Sequence, residues 1–278
     1  MKILIIDRDK LSNQLLRSRL EAMGHEVFEK TVKNEGIELI EQNTFDVVFF
    51  DPAPLNNPRP VILGIRRSSK NYPYLVILSQ DMTQAEALKA GANDILRKPM
   101  DTSVLDDYAD NGKRLTHLIK RLGDEKEDFP SAGGVIAKSA FNQLFLSALD
   151  RADRYAERSY LLFINIDNRD EILEKDGPYA VEYSTAKLSQ YLVRLRRQSD
   201  IIAQTGKSEY CLMLQRPVYE TEPLEAANRF ADALNRLEDI KSSPDSVVKI
   251  AVRLLDIPVA ELHKEHIITF SEESAQTA

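Results

Sequence analysis

FDVVFFDPAP, residues 45–54, carries the decisive pattern: four consecutive apolar positions, Val47–Phe50, run straight into Asp51. Apolarity on successive positions predicts a strand covered on both faces, and the carboxylate marks where the chain leaves the sheet. The same form recurs on either side. KILIIDRD, residues 2–9, runs Ile3–Ile6 into Asp7, and VILSQD, residues 76–81, completes a strand Leu75–Leu78 at Ser79. GANDILRKP, residues 91–99, takes Asp94–Leu96 into Lys98-Pro99, and Val27–Val32 supplies a further strand. Helical stretches separate these runs. Leu11, Leu15, Leu16 and Leu20 are placed on one helix face that ends at Gly24. Glu35–Gln42 reads as a short helix, Val61–Ile65 opens another, and Gln84–Ala90 ends at Gly91. Strands alternating with helices predict a doubly wound α/β domain with a five-stranded parallel sheet.

The rest of the chain sets the bounds. Its 278 residues suggest two domains at roughly 150 residues each. The 37 basic and 44 acidic residues leave a net charge of -7, which argues against a general nucleic-acid binder. A single cysteine, Cys211, excludes an internal disulfide and any multi-cysteine zinc or iron–sulfur site. His263 and His266 are spaced to share a helix face, with a solvated pair as the plainer reading. No apolar run approaches the roughly 20 residues needed to cross a bilayer. The opening MKILII meets Asp7 too early for a signal peptide. These features predict a soluble, cytoplasmic protein without membrane insertion.

Doubly wound sheets gather their chemistry at the carboxyl ends of the strands. Asp7, Asp51, Ser79 and Lys98 all sit there. Two carboxylates, a hydroxyl and an ammonium at one edge suit a phosphoryl-accepting aspartate: one carboxylate attacks, another helps hold a metal, and the remaining groups take the phosphoryl oxygens. With KILIIDRD, FDVVFFDPAP, VILSQD and GANDILRKP, residues 1–122 resemble the receiver domain of two-component response regulators. The resemblance implies that Asp51 is the phosphoacceptor, Lys98 the phosphate-binding lysine and Ser79 the switch hydroxyl. It further implies Mg²⁺ held by Asp7 and Asp51, and a histidine kinase as partner. Two positions depart from the family. Arg8 stands where a second carboxylate is usual, and Ile95 replaces an aromatic switch residue. A guanidinium repels Mg²⁺ where a carboxylate would ligate it. Arg8 is therefore expected to pair with Asp51, and the segment to be a pseudo-receiver.

After Asp101-Thr102-Ser103, the residues Leu105, Tyr108, Leu115, Leu118, Ile119 and Leu122 give a helical spacing that ends at Gly123. That helix is either a domain cover or a dimer stalk, and the resemblance implies a homodimer. Residues 123–133 read as a linker, with charges at Asp124–Asp128 and breakers from Phe129 onward.

In residues 134–270, helices are expected at Lys138–Arg158, Tyr179–Arg197 and Leu224–Leu237. Strands are expected at Tyr160–Ile166, Ile201–Gln204, Tyr210–Leu214 and Val247–Leu254, with a hairpin turn at Thr205–Glu209. This order predicts a mixed-sheet α/β domain, followed by a disordered tail at 271–278. LLFINID at 161–167, RQSDIIAQTGKSEYCLML at 197–214 and the helix EAANRFADALNR resemble a diguanylate cyclase (GGDEF) domain. The family's signature stands here as GKSEY, residues 206–210, and the domain is degenerate. Asn165 replaces a metal-ligating Asp, Ser208 a signature carboxylate and Lys207 the second glycine after Gly206, whereas Asp167 and Glu209 remain. Leu173 and Glu182 align with the guanine-contacting pair. The loss of these groups predicts no cyclase activity.

Arg197-Gln198-Ser199-Asp200 matches the family's inhibitory site, which binds cyclic di-GMP. A guanidinium offers paired donors to a phosphate or guanine edge, and a carboxylate accepts from guanine N–H groups. The site's second arginine aligns near Ala231, with Arg229 the nearest substitute. The expected function is a catalytically inactive response regulator that binds cyclic di-GMP at Arg197 and Asp200 and signals to a protein partner. The rivals are a ligand-independent scaffold and residual cyclase or GTP binding.

Overall fold

The computed structural model describes residues 1–129, 133–197, 200–237 and 239–271. Pro130–Ala132 of the expected linker, Gln198 and Ser199, and the expected tail beyond Ser271 lie outside the described residues. The chain divides into two compact units. The first comprises Met1–Arg121 with Ser147–Glu157 and Pro258–Ala260. The second comprises Leu122–Leu146, Arg158–Ile257 and the described residues from Glu261 onward.

In the first unit, β1 (Lys2–Ile6), β2 (Glu26–Lys30), β3 (Val47–Phe50), β4 (Tyr74–Ser79) and β5 (Asp94–Arg97) form one sheet in the order β2-β1-β3-β4-β5. Every pairing is parallel. The connecting helices are α1 (Lys10–Ala22), α2 (Lys33–Gln42), α3 (Arg59–Ser68) and α4 (Gln84–Ala90). α5 (Leu105–Leu122) follows a 3-10 turn at Thr102–Val104. The central strands are fully buried: Ile3–Ile6, Val47–Phe50 and Leu75–Leu78 expose none of their surface. Residues of such strands bury apolar side chains on both faces, as their unbroken apolar runs require. Helix packing is close. A Cβ on Gly36 of α2 would lie 2.6 Å from Ile6 Cδ1, so a larger residue there would force α2 away from β1.

The face of α1 differs from expectation. Leu16 and Leu20 are buried, but Leu11 and Leu15 point outward, 76% and 44% exposed. Ser12 and Asn13 take the inner positions instead. Ser12 Oγ donates to Asp9 and Asn13 Nδ2 donates to the Asp7 carbonyl at 2.8 Å, whereas the buried Asn13 Oδ1 has no hydrogen-bond partner among the described residues. α5 acts as a cover: Leu105, Ala109, Leu115 and Leu118 are buried, and Gly112 lies against Val47 and Tyr74. Its exposed positions include Asp106, Asp107, Asp110 and Lys113, a charged face.

The second unit builds on β6 (Ser159–Ile166), β7 (Ile201–Gly206), β8 (Glu209–Gln215), β9 (Val248–Ile257) and β10 (Leu262–Phe270), ordered β10-β9-β6-β8-β7. The expected mixed sheet is instead antiparallel at every strand pairing. β8 and β9 flank β6, so the helical crossovers join strands that are not neighbours, and the remaining two connections, β7–β8 and β9–β10, are hairpins. This unit's helices are α7 (Arg169–Asp176), α8 (Pro178–Leu195) and α9 (Glu222–Leu234), with the first half of α6 (Lys138–Tyr155), whose residues from Ser147 onward belong to the first unit. α6 and α8 stop short of the expected Arg158 and Arg197: Ala156 has φ 55, and Arg196 is extended. Leu162, Ile164, Leu188, Leu192, Leu212 and Phe230 form the core of this unit.

His263 and His266 lie on β10, not on a helix. They also part company, His263 standing 3.6 Å from Asp256 and His266 3.0 Å from Asn228. The Asp256 carboxylate 3.6 Å away holds the His263 imidazole above its ordinary value against its partial burial. Burial works against the Asp256 charge, yet the nearby His263 imidazole and the Arg158 guanidinium bonded to it hold its carboxyl below the usual value. The histidine's contribution is fully present below 6.5 and is lost as pH rises through its raised value. The aspartate's contribution is present above 3.8 and is lost as pH falls through its lowered value. Thermal midpoints should therefore decline as pH rises above 6.5 in the native chain, and His263→Gln should flatten that decline. A pH profile of the variant parallel to the native one would remove the histidine from this account.

Candidate functional site

At the carboxyl edge of the first sheet, Asp7, Asp51 and Lys98 converge from β1, β3 and β5. Lys98 Nζ donates to Asp7 Oδ2 and Asp51 Oδ2, each at 2.6 Å. Asp7 is 1% exposed. Burial pushes its carboxyl up, opposed by the bonds from Lys98 and the Asp9 N–H. Burial also works against the Lys98 charge, but hydrogen bonds to Asp51 and Asp7 outweigh it and hold the ammonium above its usual range. Ser79 Oγ accepts from the backbone N–H groups of Asp81 and Met82, both at 3.3 Å. Ser79 borders a cleft of about 710 Å³ together with Asp51 and Lys98. All four residues singled out from the sequence thus meet at one edge.

Arg8 does not make the expected pair. Asp51 bonds Lys98 instead, while Arg8 is exposed with no hydrogen bond or ion pair among the described residues. Sequence reasoning missed Lys33, at the start of α2. Its Nζ donates to the Pro52 carbonyl at 2.6 Å and to the Ala53 carbonyl, in the loop that follows Asp51. Burial lowers the Lys33 pKa and the nearby Arg8 charge adds to that, while Asp51 and Asp7 oppose it. Nothing in the sequence flags a lone lysine on a neighbouring strand's loop.

The groups present do not fit Mg²⁺, which requires a near-octahedral shell of oxygens. Asp7 Oδ1 accepts from Asp9 N at 2.9 Å and Asp51 Oδ1 from Ala53 N at 2.7 Å, while both Oδ2 atoms accept from Lys98. Asp9 commits its carboxylate to Leu11 N and Ser12 Oγ at the start of α1. Among the described residues, no group of three or more His, Cys, Asp or Glu side chains is placed to hold a metal.

A second constellation lies in the second unit. Arg197, Asp200 and Arg229 line a pocket of about 460 Å³ with Arg216, Tyr219 and Glu222. Asp200 Oδ2 accepts from Arg197 N at 2.8 Å and stands 3.7 Å from Arg229 Nη2. Arg229 Nε is buried with no hydrogen-bond partner among the described residues. Arg216 adopts φ 51, an uncommon backbone conformation for a side-chain-bearing residue. Glu222 accepts from Val218 N at 2.7 Å, so the loop from β8 into α9 is tied to the helix's first turn.

The remaining singled-out positions make other contacts. Gly206 pairs Glu209 across a two-residue turn formed by Lys207 and Ser208. Ser208 Oγ lies 2.8 Å from Thr185 Oγ1, Glu209 accepts from Thr205 Oγ1 at 2.6 Å, and Lys207 reaches Glu127 at 3.7 Å. Arg253 of β9 occupies the end of β6, donating to Asn165 Oδ1 at 3.0 Å and Asp167 Oδ1 at 2.9 Å. A third bond runs to Glu265 of β10. An arginine inside the apolar run preceding Asp256, IAVRLL, was the available signal for this contact.

Comparison with known proteins identifies the first part of the chain. Residues 3–110 match the family model described as the response regulator receiver domain. The chain is 29% identical over 102 residues to the transcriptional regulatory protein QseB of Escherichia coli O157:H7. That match covers 36% of this chain and 47% of QseB, so the chain spans about half the length of this curated relative. Among solved structures, the receiver domain of Francisella response regulator 1452 is 30% identical, with 41% of this chain and 97% of that one covered and a TM-score of 0.37. A receiver domain protein from Clostridium thermocellum is 27% identical, covering 42% and 98%, with a TM-score of 0.39. No helix among the described residues is long and apolar enough to cross a membrane. With Asp7, Asp51, Ser79 and Lys98 at the carboxyl edge of a five-stranded parallel sheet, residues 3–110 are a response regulator receiver domain.

Proposed function

We propose that this chain is a non-catalytic response regulator whose second unit is a receptor for cyclic di-GMP and passes its occupancy to a protein partner. The observation that carries the reading is the pocket in which Arg197, Asp200 and Arg229 meet. Its volume of about 460 Å³ falls in the range of small-ligand sites. The partly exposed Arg229 guanidinium, which lines the pocket, suits an anionic acceptor. Guanidinium groups bind phosphate oxygens or a guanine edge in paired fashion, and a carboxylate accepts from guanine N–H groups. The absence of catalysis is supported by the Arg253 guanidinium, which already sits between Asn165 and Asp167, where the resembled domain holds metal. The receiver acts as a regulatory module without ordinary Mg²⁺ chemistry, with a histidine kinase and a second copy of the chain as proposed partners.

Calorimetric titration of the full chain with cyclic di-GMP tests the receptor role, with low-micromolar binding expected. Parallel incubation with GTP and Mg²⁺ or Mn²⁺, followed by chromatography, should yield no cyclic dinucleotide above an enzyme-free control. Absence of binding at high ligand concentration would leave a ligand-independent scaffold, and product formation would restore an enzyme.

A further inference from the structure

We infer that Tyr219 is the base-binding residue of the pocket in which Arg197, Asp200 and Arg229 meet, its ring taking the flat face of a ligand purine. The inference rests on the cyclic di-GMP reading of that pocket and adds a recognition group outside the Arg-x-x-Asp pattern. Tyr219 carries the only aromatic ring among the described residues that line the cavity. The side chain is 52% exposed, which leaves ring surface for a ligand to cover.

Charge alone does not hold an anion here. The guanidinium groups of Arg197, Arg216 and Arg229 are matched by the carboxylates of Asp200, Glu222 and Glu225, so the charged lining is formally neutral. A cyclic dinucleotide brings two phosphate charges and two purines. Its phosphates gain from the nearest guanidinium groups, and the carboxylates of the same lining oppose them. The bases must therefore contribute to affinity. Every base presents a π face, and an aromatic side chain takes it by stacking. Ile201, Met213 and Pro223 add apolar surface to the same lining.

The ring is held before any ligand arrives. Tyr219 donates its O–H to Glu225 Oε2 at 3.1 Å, and Thr221 Oγ1 donates to the other oxygen of that carboxylate at 2.9 Å. On the opposite side of Tyr219, Val218 N donates to Glu222 at 2.7 Å, and Glu222 N returns a bond to the Tyr219 carbonyl at 3.2 Å. Both glutamates belong to the first turn of α9, so the loop that carries the ring is tied down around it. A tyrosine has few torsions to freeze, and a tethered one loses less on binding. The bond to Glu225 also raises the phenol above its usual value, which keeps the ring uncharged beside a phosphate.

The test is calorimetric titration of the full chain with cyclic di-GMP, for the native protein, Tyr219→Ala and Tyr219→Phe. Tyr219→Ala should weaken binding about 10-fold to 100-fold, whereas Tyr219→Phe keeps the ring and should stay within about fivefold of native. The side chain lies at the surface, so both variants should fold, and their thermal midpoints check that. The chain contains no tryptophan, so Tyr219→Trp introduces a lone indole whose emission a stacked purine quenches. Quenching should saturate with the calorimetric binding curve and vanish when Arg197→Ala is added. Native affinity in Tyr219→Ala would overturn the inference and leave the receptor reading standing on Arg197. A loss in Tyr219→Phe equal to that in Tyr219→Ala would also overturn it, by assigning the effect to the bond with Glu225. So would unchanged indole emission in a sample that binds by calorimetry. Absence of binding to the native chain would overturn this inference and the receptor reading together.

Discussion

Arg197→Ala should weaken cyclic di-GMP binding by about 100-fold, enough to abolish a calorimetric signal at micromolar protein. A hydrogen bond to a charged group contributes about 1.5–3 kcal/mol, and a guanidinium engaging a phosphate or guanine edge makes two such bonds. About 3 kcal/mol corresponds to about 100-fold in affinity. The loss should come without unfolding, because the Arg197 side chain is exposed and the bond to Asp200 uses its backbone N–H, which alanine keeps. Arg194→Ala, at an exposed position of α8, removes the same charge outside the pocket lining and should bind like the native chain. Equal affinities for Arg197→Ala and the native chain would sink the receptor reading. Equal losses in the two variants would reduce the effect to general electrostatics.

The largest stability effect is expected at Asp256, whose side chain exposes no surface near the end of β9. It accepts from Arg158 Nη2 at 2.6 Å and from the Glu261 N–H at 2.9 Å, with His263 at 3.6 Å. Three elements meet there: the start of β6, the turn between β9 and β10, and β10 itself. Removing one side of a buried ion pair typically costs about 3–5 kcal/mol. The Arg158 side chain is 40% exposed and can recover water, so the lower end applies. Asp256→Ala should therefore destabilise the fold by about 3 kcal/mol, lowering the thermal midpoint on the order of 10 °C. Asp256→Asn keeps an acceptor for Glu261 N and should lose less. An alanine variant that melts with the native chain would show that the cluster holds nothing together.

The receiver half was legible because each central strand is apolar on successive positions and runs into a polar residue at its carboxyl end. Ile3–Ile6 before Asp7 and Val47–Phe50 before Asp51 leave little room for another period. β10 escaped for a physical reason. LHKEHIITF is an edge strand with one buried residue, Ile268, so its alternation is masked by charge, which is how exposed edges avoid pairing with other chains. α7 is polar around most of its circumference and buries only Ile172. The outward Leu11 and Leu15 misled because leucine was ranked above Ser12 and Asn13, whose inner positions depend on bonds to Asp9 and Asp7. At the sites, residues at strand ends were readable, and residues reaching across the sheet were not. Lys33 meets the loop after β3 and leaves no local trace, while Arg253, which meets Asn165 and Asp167, shows only as a charge within a largely apolar strand.

Arg253 also constrains the mutational future of this protein. Its guanidinium joins β6, β9 and β10 through Asn165, Asp167 and Glu265. Asn165→Asp alone would add a carboxylate beside a permanent cation and yield a tighter ion pair rather than a metal position. Arg253→Ala alone would strand Asp167 and Glu265 without their shared counter-charge. Each single substitution meets a neighbour adapted to the present arrangement. A route to a metal-binding strand end therefore runs through concerted changes on separate strands, and under stepwise substitution the present state is effectively one-way.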